Sequence, residues 1–217
     1  GTGEMAGHAT GNLLIAALWE ETGNLVGGLD WVAALLGAHG RVLPVATVPL
    51  NIVADVRGAD PAHPNEVKTI VGQVELEHSP GWVMNLRVEP PDPPACAEAL
   101  EAIAGAQAIV LGPGSWYTSV LPHLLVPGVR EALAETSARR ILVLNLDGRS
   151  ASSTSEVGST QDFTSARYLD VWREQFPEVG LEYVLADPRC VDDVDELVVA
   201  CAALDAELVL ERVSVSQ

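Results

Sequence analysis

A glycine-rich loop follows four apolar residues in the stretch AIVLGPGSWYTS, residues 108–119. Gly114 has no Cβ to keep a ligand away from the backbone, and Ser115 can cap the helix that follows. The free N–H groups in the first turn of that helix favour an anion. The loop is not a P-loop, because it lacks Gly-Lys-Ser/Thr and Pro113 has no N–H to donate. Two interpretations stay open: an anion-binding loop, or a strand-to-helix turn that needs glycine for its geometry.

Two other polar positions could contribute to a binding site. The stretch GHATGN, residues 7–12, precedes a second helical pattern. There His8 and Asn12 could face a pocket, whereas Thr10 and Gly11 are typical of a helix cap. Asn145 stands near the end of the apolar run RILVLNL, where it would face a ligand or make a hydrogen bond at the sheet end.

Composition argues against several other functions. The formal net charge is −18, with no basic stripe to bind nucleic acid. No run of about eighteen uncharged apolar residues indicates a membrane span. The five histidines and three cysteines have no metal-ligand spacing, and no Ser/His/Asp set can be assembled. Three cysteines cannot all pair, which favours a reducing compartment, so we expect a cytoplasmic protein.

Hydrophobic periodicity predicts an α/β fold with one domain over residues 1–217. The second half alternates strands and helices at the spacing of a parallel sheet, and the strands at 107–111 and 140–146 should be neighbours or near neighbours. The first of these, QAIVL, is typical of a strand buried on both faces. Residues 41–88 predict an antiparallel insertion, with a strand at 41–46 and a hairpin formed by 68–78 and 81–88. Ligands bind at the carboxyl ends of parallel strands.

Two segments closely resemble signatures of the gluconeogenesis-factor, or CofD-like, family. GHATGNLLIAALWEETG, residues 7–23, resembles its G-H-x-x-G-N-L-L-L-A-x-L-x-x-x-T-G segment. VLGPGSWYTSVLPHLLVPGVREAL, residues 110–133, resembles its G-P-G-S-x-Y/F-T-S-x-x-P-x-L-L-V-P-G signature. The resemblance implies a Rossmann-like, mainly parallel sheet flanked by helices, with a small antiparallel β insertion.

By this resemblance, the chain is a regulatory protein that binds UDP-N-acetylglucosamine and is linked to cell-wall precursor supply and cell shape. It would need no cofactor, no metal and no catalytic residue. The alternative is a 2-phospho-L-lactate transferase of coenzyme F420 synthesis, which uses Mg²⁺. The loop G-P-G-S-x-Y-T-S favours the binding protein, since G-P-S-N-P is associated with the transferase. A third hypothesis is an assembly module with an acidic surface and a vestigial pocket. The oligomeric state, including a homo-oligomer, stays open.

The resemblance and the pattern together give one set of candidate ligand-binding residues. The set comprises His8, Gly11, Asn12, Gly112, Gly114, Ser115, Tyr117, Thr118, Ser119, Asn145 and Phe163. We predict that the loop at 112–119 and the helix start at 11–12 share one pocket, where two helix N-termini would act on one diphosphate.

The chain departs from the family pattern at three places. The family's N-terminal G-G-G-T-G loop and its C-terminal R-H-D segment have no counterpart, so we expect a fragment of a longer protein. The motif Q-P-G-E-T-x-G-F/Y-S is replaced, with Ser159 at the position of the glutamate. Phe163 aligns with the family's aromatic residue but cannot donate the hydrogen bond of a tyrosine.

Overall fold

Two helices open the described part of the chain, which covers residues 9–146 and 164–213 of the computed structural model. Helix α1 (Thr10–Thr22) packs against α2 (Leu25–Leu36). Gly28 lies at their contact, where an added Cβ would be 2.8 Å from the Trp19 backbone nitrogen. A larger residue at position 28 would therefore push the two helices apart.

A three-stranded antiparallel sheet follows, with β1 (Asn51–Arg57) between β2 (Val67–Val71) and β3 (Trp82–Glu89). The predicted hairpin is wrong, because β2 and β3 pair on opposite sides of β1. Helix α3 (Gln73–Glu77) occupies part of the segment that we predicted as strand, and its Leu76 is buried. Among the described residues, the predicted strand at 41–46 forms only one bridge, between Ala46 and Ala95. Pro44 in that segment has no N–H for a ladder.

A four-stranded parallel sheet forms the second half, in the order β4 (Ala108–Leu111), β5 (Arg139–Val143), β6 (Tyr183–Ala186) and β7 (Glu207–Leu210). The helices of this half are α4 (Ala97–Gly105), α5 (Leu121–Leu124), α6 (Pro127–Glu135), α7 (Ser165–Gln175) and α8 (Val194–Ala202). The predicted fold class is confirmed. So is the pairing of the strands near 107–111 and 140–146, since β4 and β5 are parallel neighbours.

The burial of β4 was predicted wrongly. Val110 is 60% exposed, because β4 is the edge strand of the sheet within the described residues. An edge strand has a neighbour on one side only, so a continuous apolar run does not guarantee burial on both faces.

One hydrophobic core joins the two sheets. Val56 and Leu86 of the antiparallel sheet belong to the same buried cluster as Leu142 of the parallel sheet. Aromatic rings add to this cluster: the ring centroids of Trp116 and Tyr168 are 5.0 Å apart, and those of Trp116 and Trp172 are 6.1 Å apart. Trp116 is therefore a core residue, and it anchors the segment after the glycine loop.

Helices long and apolar enough to span a membrane do not occur among the described residues. Cys96, Cys190 and Cys201 are not joined by disulfides.

Candidate ligand-binding site at the glycine loop

The glycine loop lies at the carboxyl end of β4, beside the carboxyl end of β5. Gly112 has φ of +78°, and an added Cβ would be 2.8 Å from the Val143 carbonyl oxygen. Both facts require glycine at position 112. At this position, glycine is required by the geometry of the turn, as the interpretation of the loop as a strand-to-helix turn predicts.

The Asn145 side chain fixes the middle of the loop. Its Oδ1 accepts a hydrogen bond from the Gly114 N–H at 2.8 Å, and its Nδ2 donates to the Gly114 carbonyl at 3.0 Å. The sequence left two roles open for Asn145, a ligand contact or a hydrogen bond at the sheet end. The structure shows the hydrogen bond at the sheet end. Asn145 thus positions the loop and holds Gly114 at the carboxyl edge of the sheet.

The residues after Gly114 form a π-helical turn, Trp116–Val120, which continues into α5. Ser115 precedes the turn, but its side chain makes no capping hydrogen bond, so the predicted cap is wrong. Its carbonyl oxygen instead accepts from the N–H groups of Ser119 and Val120, at 2.8 and 3.1 Å. The i→i+5 bond to Val120 is typical of a π-turn, a feature frequent at functional sites.

The side chains of the turn face in two directions. Ser119 is exposed, whereas Tyr117 and Thr118 are buried. The Thr118 hydroxyl donates to Glu77 Oε1 at 2.8 Å and so ties the turn to α3. Burial raises the pKa of Tyr117 well above its ordinary value, and Tyr168 adds to this effect while Arg167 opposes it. Tyr117 is therefore a neutral phenol at physiological pH.

A small cavity adjoins the loop on its inner side, between Gly114, Trp116, Asn145 and Tyr168. Its volume is about 10 Å³, the size of one water molecule. The Trp116 Nε1–H is buried and has no acceptor within the described ranges. A phosphate or a sugar does not fit this cavity, so a ligand of that size would reach the loop from its exposed side.

A carboxylate and a guanidinium that the sequence analysis missed lie at the same sheet edge. Asp187 follows β6 and is buried. It accepts from the backbone N, Nε and Nη2 of Arg189 at 3.0, 2.9 and 2.6 Å, and the Arg189 pKa is raised as a result. Two strand spacings place β6 about 10 Å from β4. An aspartate directly after the apolar run YVLA was the available sequence signal.

The start of α1 lies apart from these contacts. Gly11 and Asn12 are exposed, and Ala9 is the N-cap residue, with no side-chain cap. Within residues 9–146 and 164–213, no hydrogen bond joins the start of α1 to the loop at 112–119. The shared pocket stays a prediction, and His8 and Phe163 lie outside the described residues.

No three His, Cys, Asp or Glu side chains are grouped to hold a metal ion in the described ranges. Mg²⁺ sites commonly use only one or two protein carboxylates together with substrate phosphates, so the Mg²⁺ of the transferase alternative needs no such cluster.

Comparison with known proteins places the chain in a family. The sequence profile described as "2-phospho-L-lactate transferase CofD" matches residues 1–212. The chain belongs to the CofD family. A putative gluconeogenesis factor of Mycobacterium tuberculosis (strain ATCC 25618 / H37Rv) is 45% identical over 191 residues, which are 88% of this chain and 54% of that protein.

Other relatives agree with this assignment. A putative gluconeogenesis factor of Mycobacterium leprae is 44% identical over 86% of this chain and 50% of its own length. The gluconeogenesis factor of Halalkalibacterium halodurans is 32% identical over 76% of this chain and 47% of its own length. The chain thus spans about half the length of these relatives.

A crystal structure of a UPF0052 family member from Bacillus halodurans has the same fold. The TM-score is 0.79 at 24% identity, over 97% of this chain and 68% of that one. At this identity, the likeness concerns the fold alone.

Proposed function

We propose that this CofD-family chain is the nucleotide-sugar-binding part of a gluconeogenesis factor, with UDP-N-acetylglucosamine as its ligand. The protein would report on cell-wall precursor supply and thereby influence cell shape, and it would be a regulator without a catalytic residue. The names of the relatives support the gluconeogenesis-factor branch. The ligand and the cellular role rest on the resemblance of the loop signature.

The observation that carries the proposal is the fixed position of the Gly114 peptide at the carboxyl edge of the parallel sheet. Ligands of open α/β folds bind at this edge. A loop already held in place loses little conformational entropy when it binds. The exposed Ser119 hydroxyl and the Ser115 N–H are the donors that a diphosphate would contact, because the Gly114 N–H is already bonded to Asn145.

A cation at the same edge strengthens the electrostatic argument. The chain carries a net charge of −18, which repels a diphosphate at long range. Arg189 is held by Asp187 at the end of β6, and its side chain is 43% exposed. A guanidinium carries five N–H groups in a planar fork that suits phosphate oxygens as well as carboxylates. We therefore add Arg189 to the candidate ligand-binding residues.

The alternative is a transferase of the 2-phospho-L-lactate type, which the description of the family profile favours. This enzyme would use Mg²⁺ and a nucleotide-activated substrate. A thermal-shift panel of UDP-N-acetylglucosamine, GTP and the deazaflavin F₀, each with and without Mg²⁺, separates the two. A ligand present at about a hundred times its Kd stabilises a protein by about 2.7 kcal/mol. The proposal predicts a metal-independent response to UDP-N-acetylglucosamine, whereas a response only to F₀ or GTP with Mg²⁺ supports the transferase.

A further inference from the structure

A second, larger cleft separates the antiparallel sheet from α7. It has a volume of about 480 Å³, within the range of small-molecule sites. Its walls include Arg57, Trp82, Met84, Tyr117, Arg167 and Glu174. The glycine-loop cavity described above shares none of these residues. The cleft is therefore a separate place in the fold.

The wall on the sheet side is built by a β-bulge and a tight turn. In β3, Asn85 pairs with Asp55 but Val83 pairs with the next residue, Val56, so Met84 is an extra residue. Bulges of this kind redirect side chains, and here Trp82, Val83 and Met84 all line the cleft. Gly81 has φ of +99°, and an added Cβ would overlap the Arg57 carbonyl oxygen. The turn before Trp82 thus packs directly on the end of β1.

Within the part of the chain that the structure describes, the charges of the cleft leave one guanidinium without a counterion. Arg167 pairs with Glu174 at 3.3 Å, so these two charges offset each other. Arg57 is exposed, and no carboxylate within the described ranges lies within 4 Å of its guanidinium. An uncompensated arginine beside aromatic and thioether side chains suits an anion more than a neutral or cationic ligand.

Arg57 and Trp82 are direct partners across the β1–β3 pair, so their side chains lie on one face of the sheet. Trp82 is 47% exposed. Its indole offers a flat apolar surface beside the guanidinium, which is the arrangement that suits a ring joined to an acidic group. Tyr117 also lines the cleft, as a neutral phenol.

We propose that this cleft binds a small planar anion, an aromatic ring that carries one phosphate or carboxylate group. Arg57 binds the acidic group, and Trp82 stacks on the ring. The site goes beyond the nucleotide-sugar function, since Arg57 and Trp82 lie outside the candidate nucleotide-sugar residues. Tyr117 belongs to both sets, because the turn that follows the glycine loop also lines this cleft.

The test uses phenyl phosphate as the probe and ligand-observed NMR titration as the measurement. The wild-type chain should bind the probe, and UDP-N-acetylglucosamine should not displace it. Arg57→Gln should weaken binding about tenfold or more, because a charge-assisted hydrogen bond is lost. Trp82→Leu should weaken binding several-fold through the lost stacking. Arg139→Gln is the matched control, since Arg139 is another exposed strand arginine outside the cleft.

Several outcomes would overturn the proposal. The first is no binding of phenyl phosphate to the folded wild-type chain, and the second is equal binding to wild type and Arg57→Gln. Displacement by UDP-N-acetylglucosamine would place the probe at the glycine loop instead. Equal affinity for inorganic phosphate would refute the role of the ring. Binding of UDP-N-acetylglucosamine to Arg57→Gln is measured separately, so the nucleotide-sugar proposal is tested independently of the cleft.

Discussion

The side-chain amide of Asn145 makes hydrogen bonds to both backbone polar groups of Gly114, at 2.8 Å to the N–H and 3.0 Å to the carbonyl. It thereby joins the segment after β5 to the loop after β4, 31 residues earlier in the chain. These two hydrogen bonds extend the contact between β4 and β5 beyond the last residues of the two strands. The candidate site thus depends on a bond between neighbouring strand ends.

Replacing Asn145 should loosen the glycine loop. Asn145→Leu keeps a similar volume but leaves the Gly114 N–H and carbonyl without their partner, at a cost of about 1–3 kcal/mol in the free energy of unfolding. Urea denaturation measures this cost. Asn85→Leu is the control, because Asn85 is exposed and its side-chain hydrogen bond to Asp55 is long at 3.4 Å. Equal destabilisation by both variants would show that the Asn145 bonds contribute nothing specific.

Gly112→Ala should destabilise the protein through the backbone. The new Cβ would meet the Val143 carbonyl at 2.8 Å, and φ of +78° is unfavourable for alanine. The left-handed conformation alone costs about 1–2 kcal/mol. Gly105→Ala is the matched variant, since nothing lies within 4 Å of its added Cβ in α4. That change should be neutral or stabilise by up to about 1 kcal/mol. In thermal melts, the melting temperature should fall for Gly112→Ala and should stay the same or rise for Gly105→Ala.

Two adjacent glycines of α2 should respond differently to alanine. At Gly28 the added Cβ would lie 2.8 Å from the Trp19 backbone nitrogen, which cannot move without shifting α1. At Gly27 the nearest atom is a Thr22 side-chain carbon at 3.6 Å, an ordinary contact. Gly27→Ala should therefore stabilise α2 by up to about 1 kcal/mol through helix propensity, whereas Gly28→Ala should destabilise. Chemical denaturation measures the free energy of unfolding of both variants. A Gly28→Ala variant more stable than Gly27→Ala would be inconsistent with the close contact between α1 and α2 at Gly28.

The Glu182–Arg140 pair should make stability depend on pH. Glu182 accepts from Arg140 Nη2 at 2.6 Å and from Nε at 3.2 Å, and these bonds lower the Glu182 pKa below its ordinary value. A lowered carboxyl pKa contributes stability above the unfolded-state pKa, and this stability is lost as pH falls through the folded-state pKa. Because Glu182 is partly exposed, the contribution should be about 1 kcal/mol after solvent screening.

The measurement is urea denaturation at about pH 6 and about pH 3. Glu182→Gln should lose stability at the higher pH and show a smaller difference between the two conditions than the wild type. Glu101→Gln, an exposed glutamate of α4, provides the control. An unchanged pH dependence in Glu182→Gln would refute the role assigned to this ion pair.

The periodicity of the second half was sufficient to predict its fold class and the proximity of the strands near 107–111 and 140–146. Apolar runs such as RILVL alternate with amphipathic helices, and a parallel sheet with crossover helices is the arrangement that buries them. The pairing of strands in the antiparallel sheet was harder to predict from the sequence. Its segments 68–78 and 81–88 both read as strands, but Gly72 ends β2 at φ of +108°, and α3 follows. Pairing partners depend on tertiary contacts that local periodicity does not encode.

The candidate site was only partly predictable. The sequence indicated the glycine loop and named Asn145, yet it could not decide between a ligand contact and a loop contact, because both use the same amide. The cap predicted for Ser115 failed, since the chain forms a π-turn there and the Ser115 carbonyl receives two N–H groups. Asp187 and Arg189 were missed because an isolated acidic residue after a strand is a weak signal without the neighbouring strand ends.

The proposed function requires the glycine loop to bind UDP-N-acetylglucosamine without a metal. Isothermal titration calorimetry of the folded chain with UDP-N-acetylglucosamine, in the presence of EDTA, measures this binding. An added Cβ at Gly114 would lie 3.0 Å from Ser119 Cβ and face the loop, so Gly114→Val should weaken binding more than Ser115→Ala, with thermal melts confirming that both variants fold. Metal-independent binding with this order of affinities is the predicted result. A folded wild-type chain that releases no heat of binding, or a folded Gly114→Val variant that binds as tightly as wild type, would refute metal-independent binding at this loop.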